Sequence, residues 1–167
     1  MNITQKDFNE TSKLMGLLAK IDNLDTEYVN EISDETFKQQ PFFLTVLLGY
    51  HLDTSPEELE EIMKIYFLIW EYFKQNKNIP KKRVTETYFD KIQNRNIQML
   101  KYVEGEHEED ERLKIYSNDL QNLKSKALFT AILYRYINRP VLKKMGKEKK
   151  GIILVGIKSF IEYFETA

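Results

Sequence analysis

Apolar residues recur three or four positions apart along most of the chain, which is the spacing that places them on one face of an α-helix. The pattern predicts helices over residues 5–22, 26–39, 42–51, 56–75, 84–105, 127–137 and 151–165. A further helix beginning near Glu108 carries Leu113, Tyr116, Leu120 and Leu123 at the spacing of one apolar seam. No stretch alternates apolar and polar residues as a half-buried strand does. We therefore predict an all-α fold, a helical bundle or short α-solenoid of about seven to eight helices in one domain over residues 1–167.

The clearest helix boundary in the sequence is at Ser55. This serine suits the N-cap position, Pro56 suits the first helical position, and Glu58 is placed to hydrogen bond back to the cap. From Ile62 to Phe73 nearly every residue is apolar or aromatic, which predicts burial on most sides. We therefore predict that the helix beginning here, which runs to about Gln75, is the central helix of the fold.

Two stretches of the chain share one pattern of apolar and polar positions. A shift of 85 residues aligns residues 44–48 with residues 129–133. A shift of 91 residues aligns Trp-Glu-Tyr-Phe at 70–73 with Ile-Glu-Tyr-Phe at 161–164. Helical periodicity alone explains the apolar matches, because any two amphipathic helices align in this way once a gap is allowed. Periodicity does not explain the repeated Glu-Tyr-Phe sequence.

We interpret this match as a duplicated helical hairpin, with copies at approximately residues 41–73 and 126–164. The helices between Val84 and Lys124 join the two copies, and the second copy has a connection six residues longer, predicted over residues 143–150. Two helix pairs of this kind bury their apolar faces against each other. The duplication predicts an architecture but no particular chemistry.

Composition excludes several classes of site. The chain has 167 residues and no cysteine, so disulfides, thiolate zinc sites, iron–sulfur clusters and cysteine nucleophiles are excluded together. The first residues are polar and include acids, unlike a secretory signal, and no apolar run reaches the length that spans a bilayer. We therefore expect a soluble cytoplasmic protein without membrane contact.

Charge does not favour nucleic acid as a partner. The 25 basic and 26 acidic side chains leave a formal net charge of −1, and only five of the basic residues are arginines. Two basic clusters are present: Lys74, Lys77, Lys81, Lys82, Arg83, and Lys143, Lys144, Lys147, Lys149, Lys150. They could contact an acidic partner, but we interpret both clusters as surface loops whose lysine side chains are hydrated.

One short sequence resembles a metal-binding motif. Glu104 and His107 have the Glu-x-x-His spacing found in carboxylate-bridged di-iron bundles. Such a site needs a second pair, but His51 has Leu48 where that glutamate would stand, and a glycine interrupts the first pair. The acids of residues 104–111 could contact one hard cation, although their spacing matches no known ligand set. We therefore predict no metal site and interpret residues 104–111 as an acidic turn exposed to solvent.

No catalytic motif is present. The chain has no Gly-x-Ser-x-Gly elbow and no glycine-rich phosphate loop, so we predict no catalytic residue and no cofactor. Tyr50 and His51 stand among leucines and are the candidate residues of a ligand pocket. The ordinary interpretation is that a histidine on an apolar helix is a hydrogen-bonded residue at the edge of the core.

Two functions fit these observations. The first is a non-enzymatic interaction or adaptor module that binds a protein partner or a second copy of itself in a groove between helices. The alternative is a helical small-ligand-binding protein or enzyme with an aromatic pocket between the hairpins. An exposed apolar groove would favour the first function, and an enclosed pocket with converging polar groups would favour the second.

Overall fold

The computed structural model of the protein describes residues 5–75 and 79–166. Within these ranges the chain forms a bundle of nine α-helices with two short 3₁₀ turns and no strand, which confirms the predicted all-α fold. The helices are α1 (Gln5–Asp22), α2 (Thr26–Gln39), α3 (Pro41–Gly49), α4 (Pro56–Phe73), α5 (Glu86–Gly105), α6 (Glu109–Asn122), α7 (Lys126–Asn138), α8 (Pro140–Lys144) and α9 (Lys147–Glu165). The 3₁₀ turns are Tyr50–Leu52 and Ile79–Lys81.

The connection predicted over residues 143–150 is wrong. Pro140–Lys144 forms the short helix α8, and α9 begins at Lys147 rather than at Gly151. Lysine and glutamate are good helix formers, so the residues before Gly151 extend the last helix by a full turn. The sequence pattern does not predict α8, which brings the eight predicted helices to nine in the described residues.

The start of α4 is confirmed in detail. The Ser55 hydroxyl accepts a hydrogen bond from the Glu58 amide at 3.1 Å, and the Glu58 carboxylate accepts one from the Ser55 amide at 3.0 Å. Every residue from Ile65 to Glu71 is buried, which confirms the central position predicted for α4. These two reciprocal hydrogen bonds form a capping box. The helix thus begins at the surface, and the rest of it crosses the core.

Helices α4 and α9 lie side by side, run in the same direction and are in register. Near their first turns, Glu58 contacts Lys149 at 3.0 Å. Near their last turns, the rings of Phe73 and Phe164 lie 5.4 Å apart. Both pairs are separated by 91 residues in the sequence, the same shift that aligns the two predicted hairpins. The two helices therefore contact each other at positions that this shift aligns.

An aromatic cluster fills the space between α3, α4 and α9. The Phe43 ring lies 4.7 Å from the rings of both Tyr66 and Phe160, and 5.5 Å from the ring of Phe164. Helix α1 packs on α4, and α5 packs on α9. The core therefore consists of two parallel helices, each covered by the helix that begins its half of the chain.

Helix α6 is the exception to this packing. None of its residues is buried, and Leu113 and Tyr116 are 59% and 40% exposed. The apolar seam predicted for this helix enters the core only at its end, where Leu123 is buried. Because α6 covers the bundle loosely, it leaves room beneath it.

Candidate functional site

A large groove lies between α1 and α7. Its volume is about 1270 Å³, and it is open to solvent along its length. Its floor consists of small and aliphatic side chains from α1, α7 and the end of α6: Leu14, Leu18, Leu123, Ala127 and Ala131. Tyr134, which is 67% exposed, stands at its edge. An open apolar groove of this kind is a surface that another helix can cover.

Charged side chains surround one end of this groove. Arg135, which is 5% exposed, donates to the carboxylates of Asp22 at 2.9 Å and Glu61 at 3.3 Å. Arg139 contacts the other oxygen of Asp22 at 2.6 Å. Burial alone would raise the pKa of Asp22, but the hydrogen bond from Arg135 and the nearby positive charges outweigh it, so the pKa is lowered. Asp22 is therefore ionised at neutral pH and holds both guanidinium groups at the groove.

A second, smaller pocket lies between α5, α6, α7 and α9. Its volume is about 340 Å³. Its walls are mainly apolar and consist of Met99, Leu100, Tyr116, Leu120, Phe129, Leu133, Leu154 and Val155. Gly151 also lines it, and a Cβ atom built on this glycine meets no other atom within 4 Å. The pocket therefore has open space where α9 carries no side chain.

A buried lysine closes the base of this pocket. Lys158 is 6% exposed, and its ammonium group donates to Asn96 at 2.7 Å and to Glu162 at 2.9 Å and forms an ion pair with Asp119 at 3.1 Å. The Asn96 amide donates in turn to Ser159 at 3.0 Å and to Glu162 at 2.7 Å. We call these five residues the Lys158 cluster. It combines a mainly apolar cavity with converging polar groups, which is typical of a small-molecule site.

A comparable ionic cluster lies on α4, but its central residue, Glu71, lines neither the groove nor the pocket. Glu71 is 3% exposed, contacts Lys74 at 2.7 Å and Lys20 at 3.7 Å, and accepts a hydrogen bond from the Tyr28 hydroxyl. Burial alone would raise the pKa of Glu71, but the hydrogen bonds from Lys74 and Tyr28 and the charges of both lysines lower it. This cluster joins α1, α2 and α4 and has a structural role.

The structure places the two predicted pocket residues, Tyr50 and His51, in different surroundings. The Tyr50 hydroxyl lies 3.0 Å from the Tyr66 hydroxyl and against Gly156, where a Cβ atom would come within 2.6 Å of it. His51 is exposed, and its ring Nδ1 lies 2.6 Å from the Leu48 carbonyl oxygen. Neither residue lines the groove or the pocket. A ligand pocket at Tyr50 and His51 stays a prediction.

The other candidate segments make local contacts. The Glu106 carboxylate accepts hydrogen bonds from the amides of His107 and Glu108, so it orders the acidic turn itself. In the described ranges no group of three or more acidic, histidine or cysteine side chains is arranged to hold a metal ion. Lys149, in the second basic cluster, contacts Glu58, whereas Lys77 of the first lies outside the described residues.

No helix in residues 5–75 and 79–166 is long and apolar enough to cross a membrane. No family model matches the chain, and no curated protein or solved structure matches it. Function must therefore be inferred from the groove and the pocket themselves.

Sequence reasoning missed the residues of both sites. Asn96, Asp119 and Lys158 are far apart in the chain and meet only through the packing of α5, α6 and α9. One signal is present in the sequence: Lys158 interrupts an otherwise apolar stretch at the position that the shift of 91 residues aligns with Phe67. A lysine in the middle of a predicted core helix needs a partner, and this indicates a polar cluster.

Proposed function

We propose that the protein is an interaction module whose α1–α7 groove binds an acidic amphipathic helix of a partner protein. The observation that carries this proposal is the combination of an apolar floor with an excess of positive charge around it. The charged side chains lining the groove are Glu10, Asp22, Lys124, Lys126, Arg135 and Arg139. Arg135 is buried between two carboxylates, but three of the other five are basic, so the rim favours a partner with a negative charge.

The dimensions of the groove suit a helix. Residues 10–22 of α1 form one wall, and at 1.5 Å per residue they extend about 18 Å, or a little over three turns. A helix of that length presents apolar side chains at positions i, i+3, i+4 and i+7 to the floor. Ala127 and Ala131 are small enough to let its backbone approach α7 closely.

The exposed Tyr134 supports the same proposal. Aromatic side chains with a polar tip are enriched at protein interfaces, where they bury a large area with little loss of conformational freedom. Tyr134 stands at the edge of the groove with two thirds of its surface in solvent. A bound helix would cover its ring.

A matched pair of peptides tests this function. One is a 16-residue helix with leucine at the positions facing the groove and glutamate elsewhere, and the other has lysine in place of every glutamate. We expect the acidic peptide to bind, measured by fluorescence anisotropy, and the basic peptide to bind at least about tenfold more weakly. Tyr134→Ala is expected to weaken acidic-peptide binding by about tenfold, which is the effect of one interface anchor.

Ile137→Ala is the control, because Ile137 lies on the same helix, is 64% exposed and does not line the groove. It is expected to leave binding unchanged. Equal binding of the two peptides, or equal effects of the two substitutions, would contradict the proposal. Self-association in sedimentation that Tyr134→Ala abolishes would show instead that a second copy of the chain occupies the groove.

We also propose that the duplication extends beyond the hairpins to both halves of the chain. Helices α1 to α4 have 18, 14, 9 and 18 residues, and helices α5, α6, α7 and α9 have 20, 14, 13 and 19. The same order of lengths, together with the in-register contacts of α4 and α9, supports a repeat of four helices.

We also propose that the protein is located in the reducing cytoplasm, which suits a chain without cysteine.

A further inference from the structure

The pocket between α5, α6, α7 and α9 is separate from the groove, and its lining residues are different. We infer that this pocket is a binding site for a small molecule that has an apolar body and one amine group, and that the amine contacts Asp119. This site does not depend on the function proposed for the groove.

The size and lining of the pocket set the shape of the ligand. A volume of about 340 Å³ lies at the lower end of the range for small-molecule sites, so it suits one ring with a short chain. Phe129, Tyr116 and several aliphatic side chains surround this space. A ring placed among them would gain aromatic and aliphatic contacts on both faces.

Hydrogen-bond capacity at the base decides the charge of the ligand. A lysine ammonium has three donors, and Lys158 donates to Asn96 and Glu162 and forms an ion pair with Asp119. Both amide hydrogens of Asn96 are used as well, by Ser159 and Glu162. The charge of Lys158 is already balanced by the carboxylates of Asp119 and Glu162, so a ligand carboxylate would gain little there.

Asp119 supplies the acceptor. Its Oδ1 forms an ion pair with Lys158 at 3.1 Å, and its side chain remains 22% exposed at the pocket. A carboxylate has lone pairs for about four hydrogen bonds, so Asp119 can accept a further donor from a ligand. An amine that reaches this oxygen forms a charge-assisted hydrogen bond, the strongest polar contact that the pocket offers.

Two features of the pocket work against stability, and both are explained by a binding role. A buried lysine with acidic partners stabilises a fold little more than apolar packing does. The positions in α4 that the shift of 91 residues aligns with Lys158 and Ser159 are Phe67 and Leu68, and both are buried. A glycine inside a helix is also less stable than alanine, yet Gly151 stands in α9 at the pocket wall. Such departures from good packing are expected at functional sites.

Two probes of similar shape and opposite charge test the inference: 2-phenylethylamine and 3-phenylpropanoate. Each is titrated at millimolar concentration into protein with ¹³C-labelled methyl groups. We expect the amine to shift the methyl signals of Met99 and Leu154 and to leave that of the distant, exposed Met15 unchanged. The acid is expected to bind at least about tenfold more weakly.

The substitution Asp119→Asn removes the charge and keeps an oxygen that can accept from Lys158, so the fold is expected to persist. It should weaken binding of the amine by about tenfold. Asp110→Asn is the control, because Asp110 is an exposed acid on the same helix. It should leave binding unchanged.

Three results would overturn the inference: no shift of Met99 or Leu154 with either probe, binding of the acid as tight as that of the amine, or equal effects of the two substitutions. Because the groove is tested with peptides and Tyr134 variants, failure of one site is distinguishable from failure of the other.

Discussion

Helices α4 and α9 lie side by side in the core, and their inner faces resemble each other more than their outer faces do. Trp70 and Ile161, at matching positions, are both fully buried, and Phe73 and Phe164 pack against each other. The shared pattern is therefore the one that holds the two halves together. It needs only apolar side chains in the same register, which the sequence displays directly.

The outer faces of the same helices differ in charge. On α4, Glu60, Met63 and Lys64 line a cleft of about 340 Å³, and Lys64 contacts Glu60 at 2.7 Å. The matching positions on α9 are Gly151, Leu154 and Val155, and they line the apolar pocket. An ion pair thus lines the cavity on α4, whereas a glycine and aliphatic residues line the cavity on α9. The two helices therefore share their inner apolar packing and differ in the polarity of their outer faces.

The largest expected effects concern the common inner face. Truncating Trp70 to alanine should lower the free energy of unfolding by about 3–5 kcal/mol, and Ile161→Ala should lower it by about 2–5 kcal/mol, because both leave cavities in the core. Urea unfolding monitored by circular dichroism measures both values. A loss below about 1 kcal/mol for either variant would break the equivalence of the two helices.

The Lys158 cluster should give the next largest effect. Lys158→Met removes the ammonium group that contacts Asn96, Asp119 and Glu162, so we expect a loss of about 2–3 kcal/mol. The acids remain partly hydrated, which keeps the loss below that of a fully buried pair. Lys91→Met, at an exposed position of α5, should change stability by less than about 0.5 kcal/mol. Equal losses for the two variants in urea unfolding would show that the cluster is not formed.

Substituting Glu71 should have a smaller effect on the free energy of unfolding, and this effect should depend on pH. The pKa of Glu71 is lowered from its usual 4.5, so its charge stabilises the fold above that pH and the contribution is lost as the pH falls through the folded-state pKa. We expect Glu71→Gln to be less stable than the wild type by about 1.5–3 kcal/mol at pH 7. The difference should shrink as the pH falls below about 4. A difference that stays constant between neutral and acidic pH in thermal unfolding would rule out this ionic role.

The sequence predicted the helices well because their signals are local. Helical spacing, the cap at Ser55 and the apolar run of α4 depend on residues a few positions apart. The candidate site depends on contacts between distant residues, such as Asn96 with Lys158. His51 shows a limit of local patterns, because its apolar neighbours Leu48 and Leu52 are themselves 55% and 76% exposed.

Gly151 allows the most direct test that the outer face of α9 is a binding surface. In Gly151→Met the new side chain extends into the pocket, and replacing a helical glycine should raise stability by about 0.5–1 kcal/mol. Gly16→Met is the control, because Gly16 is an exposed glycine in α1 with open space around its Cβ position. Binding of 2-phenylethylamine is then measured by methyl shifts for both variants and the wild type. We predict that Gly151→Met folds stably and binds at least about tenfold more weakly, whereas Gly16→Met binds like the wild type. Unchanged binding by Gly151→Met would contradict a binding site on the outer face of α9.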